Sequence, residues 1–265
     1  MNIFSVQQDI PGIEPVFLFD IFGFPIAAST AMIFLIILVF AVLALIVQRT
    51  FKTVPTRFQN LIEMLYEGMV DMLNEVTADK KRSEIIFPVI GSMFMYLLVA
   101  NLLGLVPGIS EITVGGSPLF QTPTSDFNTT FGLALGSIIV INIISIKEWG
   151  IFAFLGKFFK VKEVFQAFKE GIGKGAISLV DLFVGMLDIV GEIAKVISLS
   201  IRLFANMYAG QILMVILMGA FAYIIPGVWY GMNIFVGALQ AMVFAVLVAA
   251  YYMLAIKPSE EGSDR

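Results

Sequence analysis

Residues 176–221 read AISLVDLFVGMLDIVGEIAKVISLSIRLFANMYAGQILMVILMGAF, an apolar run of more than 40 residues with no proline. How this run is divided decides the fold. As one helix it would measure on the order of 65 Å at 1.5 Å per residue. That is about twice the hydrocarbon thickness of a bilayer, so a single helix must lie strongly oblique. Gly185 and Gly191 are the candidate breaks for a reading as two spans, but no loop cluster interrupts the run. Arg202 stands inside it. An arginine cannot escape burial by losing its proton, and at membrane depth it costs at least ~2.5 kcal/mol. It is therefore a functional-site candidate in its own right.

The whole chain has the composition of a membrane protein. Of its 265 residues 59% are hydrophobic and 14% charged, with a mean hydropathy of +0.95. Soluble domains carry about 25% charged residues. There is no cysteine, which removes disulfides and thiolate metal sites, and no histidine, which removes the commonest general base and metal ligand. No metal or cofactor is expected. The net charge of −4 argues against nucleic acid as a partner. The first 25 residues lack lysine and arginine, so they carry no basic n-region of a cleavable signal peptide.

Working outward from the long run, four further apolar segments are long enough to span: 26–47, 85–106, 127–146 and 228–256. Basic residues orient them. Arg49, Lys52, Arg57, Lys80, Lys81 and Arg82 lie between the first two spans. Lys147, Lys157, Lys160, Lys162, Lys169 and Lys174 lie between the third span and the long run, and Lys257 and Arg265 follow the last. Five spans put every basic segment on one side, whereas six would put the C-terminal pair on the other. The expectation is an all-α integral membrane protein, a single domain over 1–265. It has five transmembrane helices, the last two long and strongly tilted, with the N-terminus outside and the C-terminus cytoplasmic.

Residues 55–76 differ from the spans. Phe58, Leu61, Ile62, Leu65, Met69, Met72, Leu73 and Val76 recur at helical spacing, and Glu63, Glu67, Asp71 and Glu75 form an acidic stripe. This predicts an amphipathic helix at the cytoplasmic interface.

On the long run Asp181, Asp188, Lys195 and Arg202 are spaced by seven, which keeps them on one slowly drifting face. Glu192 and Asn206 join that stripe. Glu192 and Lys195, at i and i+3, are placed to pair with each other. Arg202 has no acid three or four residues away, so its partner comes from another helix or another protein. Gln211 lies about half a turn round from it, and Asn233 and Gln240 share one face of the last helix. Ala205, Ala209, Gly210, Gly219 and Ala220 allow a close approach to the long helix, by a neighbouring helix or by a partner.

These residues also carry a resemblance. Ser198-Leu-Ser-Ile-Arg-Leu-Phe-Ala-Asn-Met-Tyr-Ala-Gly210 is similar to the signature of subunit a of the F-type ATP synthase membrane sector, bacterial type. Asn101-Leu-Leu-Gly-Leu-Val-Pro-Gly108, Pro123-Thr-Ser-Asp-Phe-Asn-Thr-Thr130, Ser145-Ile-Lys147 and Leu239-Gln-Ala241 extend the match along nearly the whole chain. The resemblance implies a subunit that is not catalytic by itself. It would be a stator in the cell (inner) membrane beside a ring of c subunits, held by b-type peripheral stalk subunits. Ions, H⁺ in preference to Na⁺, would reach ring carboxylates through one half-channel and leave through another. Arg202 would be the essential arginine between them. Asn206, Gln211, Asn233 and Gln240 would line the pathways, Asp188 and Glu192 the cytoplasmic exit, and Asp126 and Asn101 the external side. Many members have Glu at the position of Gln211, and His or Glu at that of Asn233. Neither amide here can titrate, so water chains, or Asp126, would have to serve. Asp126 is equally placed to cap the helix that follows it. The alternative reading is a stand-alone secondary transporter, which would show an internal repeat and interrupted midplane helices. The sequence has neither.

Overall fold

The computed structural model describes residues 16–21, 24–52, 55–106, 108–109, 112–114, 117–151, 154, 156, 172–220 and 224–256. The basic residues Lys157, Lys160, Lys162, Lys169, Lys257 and Arg265 lie outside that set, as does Phe221 at the end of the long run. Six long helices carry the architecture among the described residues: α1 (Ala28–Thr50), α2 (Arg57–Thr77), α3 (Lys80–Gly104), α4 (Phe127–Trp149), α5 (Ile172–Ala220) and α6 (Ile224–Ile256). Four are long and apolar enough to cross a membrane: Ala28–Thr50, Lys80–Gly104, Phe127–Glu148 and Gly227–Ile256. The fold is thus helical and multi-pass. The long run is one 49-residue helix, α5, with no break at Gly185 or Gly191. Two short antiparallel hairpins, β1 (Phe17–Ile21) with β2 (Phe24–Ala27) and β3 (Thr113–Val114) with β4 (Ser117–Pro118), were not anticipated from the sequence.

The chain forms two compact units, one of residues 1–130 and 201–247, the other of 131–200 and 248–265. In the first unit α1 buries only Ala28, Ser29, Met32 and Ile36, one stripe in its N-terminal half. Met32 and Ile36 pack with Ala100 of α3, flanked by Leu35, Tyr96 and Leu103. Most of the rest of α1 faces outward, Phe34, Leu38, Val42 and Leu45 among it. So large an exposed apolar surface is stable only in lipid. Lipid is as apolar as leucine, so burial of these side chains does not drive helix association. Packing and interhelical hydrogen bonds do.

Helix α2 is capped by Thr56, whose side chain accepts from Gln59 N. Buried Gln59 is held from both ends of its amide, accepting from Lys52 N and donating to Lys52 O and Glu63 Oε1. Met69 and Leu73 are buried, while Phe58, Leu61, Met64 and Leu65 remain exposed. The turn into α3 is closed by a Thr77–Ser83 hydroxyl pair at 2.6 Å and by Asp79, which caps α3 through Lys81 N. Between α3 and α4 the β3–β4 hairpin leads to a 3-10 turn, Pro123–Ser125.

The second unit joins the C-terminal parts of α4 and α6 to residues 172–200 of α5. Ser145 donates to the carbonyl of Ala255 at 3.0 Å, and Tyr252 donates through its hydroxyl to Glu148 Oε1 at 3.0 Å. Val248, Ala249, Tyr252 and Ile256 form the buried stripe of α6 here, spaced for one helical face.

Candidate functional site

Polar side chains are concentrated in the first unit, where α3, the 122–126 turn, α5 and α6 meet. Asn101 of α3 is fully buried. Its Nδ2 donates to the carbonyl of Gly237 in α6 at 2.9 Å, and its Oδ1 accepts from Thr124 Oγ1 at 2.8 Å. Gly237 favours this contact, because a Cβ there would lie 3.1 Å from Asn101 Cβ and press the asparagine outward by a few tenths of an ångström. One amide thereby ties α3, the turn and α6 together.

Asp126 is buried where α4 starts. Its Oδ1 accepts from Asn128 N at 3.0 Å, which is the helix cap its position suggested. Its Oδ2 accepts from Thr129 Oγ1 at 3.1 Å and from Ser29 Oγ of α1 at 2.6 Å. Three donors therefore converge on the carboxylate. Its partner on α1 is 97 residues distant in sequence.

Deeper along α5 and α6, Asn206 Nδ2 donates to Gln240 Oε1 at 2.6 Å, and Trp229 Nε1 donates to the carbonyl of Gly210 at 3.2 Å. Gln211 Nε2 donates to Thr122 Oγ1 at 3.3 Å. Although Gln211 is half a turn round from Arg202, it lines one small pocket with Thr122, Asn206 and Asn233. The pocket measures about 10 Å³, close to the room that one water molecule needs. Arg202 itself is half-buried on α5, and among the described residues no carboxylate pairs with it. Its neighbours one turn on, Ala205 and Asn206, are exposed.

In the second unit Asp188 is exposed, whereas Glu192 and Lys195 are paired at 2.7 Å, as their spacing suggested. Lys195 Nζ also lies 5.5 Å from the centroid of the Tyr251 ring, a cation–π distance. The side chain of Asp181 lies outside the described residues, as do the surroundings of Gly219 and Ala220.

The structure thus joins Asn206 to Gln240 directly, gathers Asn206, Gln211 and Asn233 at one pocket, and seats Asn101 and Asp126 in separate hydrogen-bonded clusters. Sequence reasoning missed Ser29, Thr122 and Thr124. The only signal for the two threonines was the polar density of Gln121-Thr-Pro-Thr-Ser-Asp126 ahead of an apolar helix. Among the described residues no group of three or more acidic side chains is arranged to hold a metal ion.

Residues 29–253 match the family described as ATP synthase A chain. The chain is 31% identical over 205 residues to the ATP synthase subunit a of Desulforamulus reducens, covering 74% of this chain and 66% of that one. It is 28% identical to the same subunit from Trichlorobacter lovleyi, over 82% of this chain and 81% of that one. With the Geobacter sulfurreducens subunit it shares 29% identity over 85% and 86%. With the family match running over most of its length, the chain belongs to the ATP synthase A chain family.

Proposed function

We propose that this chain is the ion-translocating stator subunit of a rotary ATP synthase, and that Arg202 separates two half-channels serving the carboxylates of a c-subunit ring. The single observation that carries the reading is Arg202: a half-buried guanidinium on an apolar helix, with no paired carboxylate among the described residues. An arginine in that setting needs an acid from elsewhere, and a ring carboxylate supplies one at each step. A fixed guanidinium favours the ionised form of an approaching carboxyl group, so the ion is released as the carboxylate passes. It also repels cations, which blocks a direct leak from one half-channel to the other. Lysine would serve poorly, being able to deprotonate when buried and lacking the planar fork.

The external path runs, on this reading, through the polar residues of the first unit: Asn206, Gln211, Asn233 and Gln240, with Asn101 and Asp126 toward the outer side. Asp188 and Glu192 serve the cytoplasmic exit. Asp188 is the freer of the two, because Glu192 is engaged by Lys195. At 49 residues α5 is about 74 Å long, more than twice the hydrocarbon thickness, so it crosses as the strongly tilted fourth of five spans and α6 is the fifth. The N-terminus lies outside and the C-terminus in the cytoplasm, as the basic loops require. The b-type stalk subunits hold the chain against rotation, and H⁺ is the favoured ion.

The test is Arg202→Ala in the complete complex in lipid vesicles. ATP synthesis driven by an imposed proton gradient is lost while the complex still assembles. Native coupling in that variant would overturn the assignment.

A further inference from the structure

The pocket shared by α5, α6 and the 122–126 turn contains one group that the function above does not use. Of its polar side chains, Asn206, Gln211 and Asn233 are amides, whose donor and acceptor ends are fixed. An amide orients a water molecule but does not hand a proton on. Thr122 is different, because a hydroxyl carries a donor hydrogen and two acceptor lone pairs. Gln211 Nε2 occupies one lone pair. Among the described residues no acceptor takes the hydroxyl hydrogen of Thr122.

Thr122 is also held in place. Its carbonyl accepts from Ser125 N at 3.0 Å and from Ser125 Oγ at 2.9 Å. Its side chain reaches the pocket past the backbone of Gly104. A Cβ on residue 104 would overlap Thr122 Oγ1 and lie 2.6 Å from its Cγ2 and 2.9 Å from its Cβ. No side chain fits at 104 while Thr122 keeps this place.

We propose that Thr122, held by Gln211 and joined to water in the pocket, is a hydroxyl relay on the external proton path, and that Gly104 sets its bore. In each passage Thr122 Oγ1 takes a proton from a hydronium in the pocket, leaving water, as its own hydrogen passes to a second water further along the half-channel. One O–H bond forms, one breaks, and the threonine is regenerated. The inference rests on the reading of this chain as the ion-translocating subunit.

The experiment measures gradient-driven ATP synthesis by the whole complex in vesicles, for Thr122→Val, Thr122→Ser and Gly104→Ala, with Arg202→Ala alongside. Valine keeps the branched shape and removes the hydroxyl. It slows synthesis roughly five-fold at unchanged complex content, the factor that loss of one ordinary hydrogen bond gives. Serine restores the rate to within about two-fold, and alanine at 104 is at least as slow as valine at 122. Native rates with valine, or serine as slow as valine, overturn the relay while the Arg202→Ala result still stands for the subunit. If Arg202→Ala couples normally, the wider reading falls instead.

Discussion

Replacing Asn101 by alanine removes a side chain that joins α3, the 122–126 turn and α6. Two hydrogen bonds disappear, to Gly237 O at 2.9 Å and from Thr124 Oγ1 at 2.8 Å. Interhelical bonds in membrane proteins average about 0.6 kcal/mol, and ordinary buried ones about 1 kcal/mol, so the pair contributes roughly 1–3 kcal/mol. The upper end applies. Thr124 is only 1% exposed, so its hydroxyl has no route to water once its acceptor is gone. The Gly237 carbonyl is a milder loss, since its helix bond remains. We expect a destabilisation of about 3 kcal/mol. For a chain of this size each kcal/mol moves the melting midpoint by about 2–4 °C, so the midpoint falls by roughly 6–12 °C. The assay is the thermal loss of helical circular dichroism of the purified chain in detergent micelles, compared with the native sequence. A fall of less than about 2 °C would refute the claim that this amide clamps the unit. Asn101→Asp sharpens the test. It keeps an acceptor for Thr124 but sets a carboxylate oxygen against the Gly237 carbonyl, and it should melt no higher than the alanine variant.

Asn74→Ala should act in the opposite direction. Asn74 Oδ1 is buried without a partner among the described residues, and alanine is the better helix former, so the midpoint in the same melt rises, by about 1 kcal/mol in stability. Gln240→Leu removes the acceptor for Asn206 Nδ2. Asn206 is exposed and can be re-solvated, so ATP-driven pumping drops roughly five-fold and is not abolished. Loss of pumping as complete as that expected of Arg202→Ala would contradict the distinction drawn between a lining amide and the essential charge.

The sequence by itself determined the helices and the local pairs. The basic residues around the run chose one long helix over two, and the run, free of proline and loop clusters, is the unbroken α5 from Ile172 to Ala220. The 3.6-residue repeat of α2 made its amphipathic face legible. Three-residue spacing paired Glu192 with Lys195, and the position of Asp126 just ahead of an apolar helix made it a cap. The last two of these depend on residues within one or two helical turns. Tertiary structure alone decided which of the remaining polar groups meet. Ser29 reaches Asp126 across 97 residues, Asn101 reaches Gly237 across 136, and Gln211 reaches Thr122 across 89. In a bilayer a lone serine, asparagine or threonine on an apolar helix has many partners it could satisfy equally well by chemistry. The choice among them falls to which backbones approach closely enough, and at the Thr122 and Asn101 contacts that approach uses glycines at 104 and 237 whose role becomes visible only when the helices are packed.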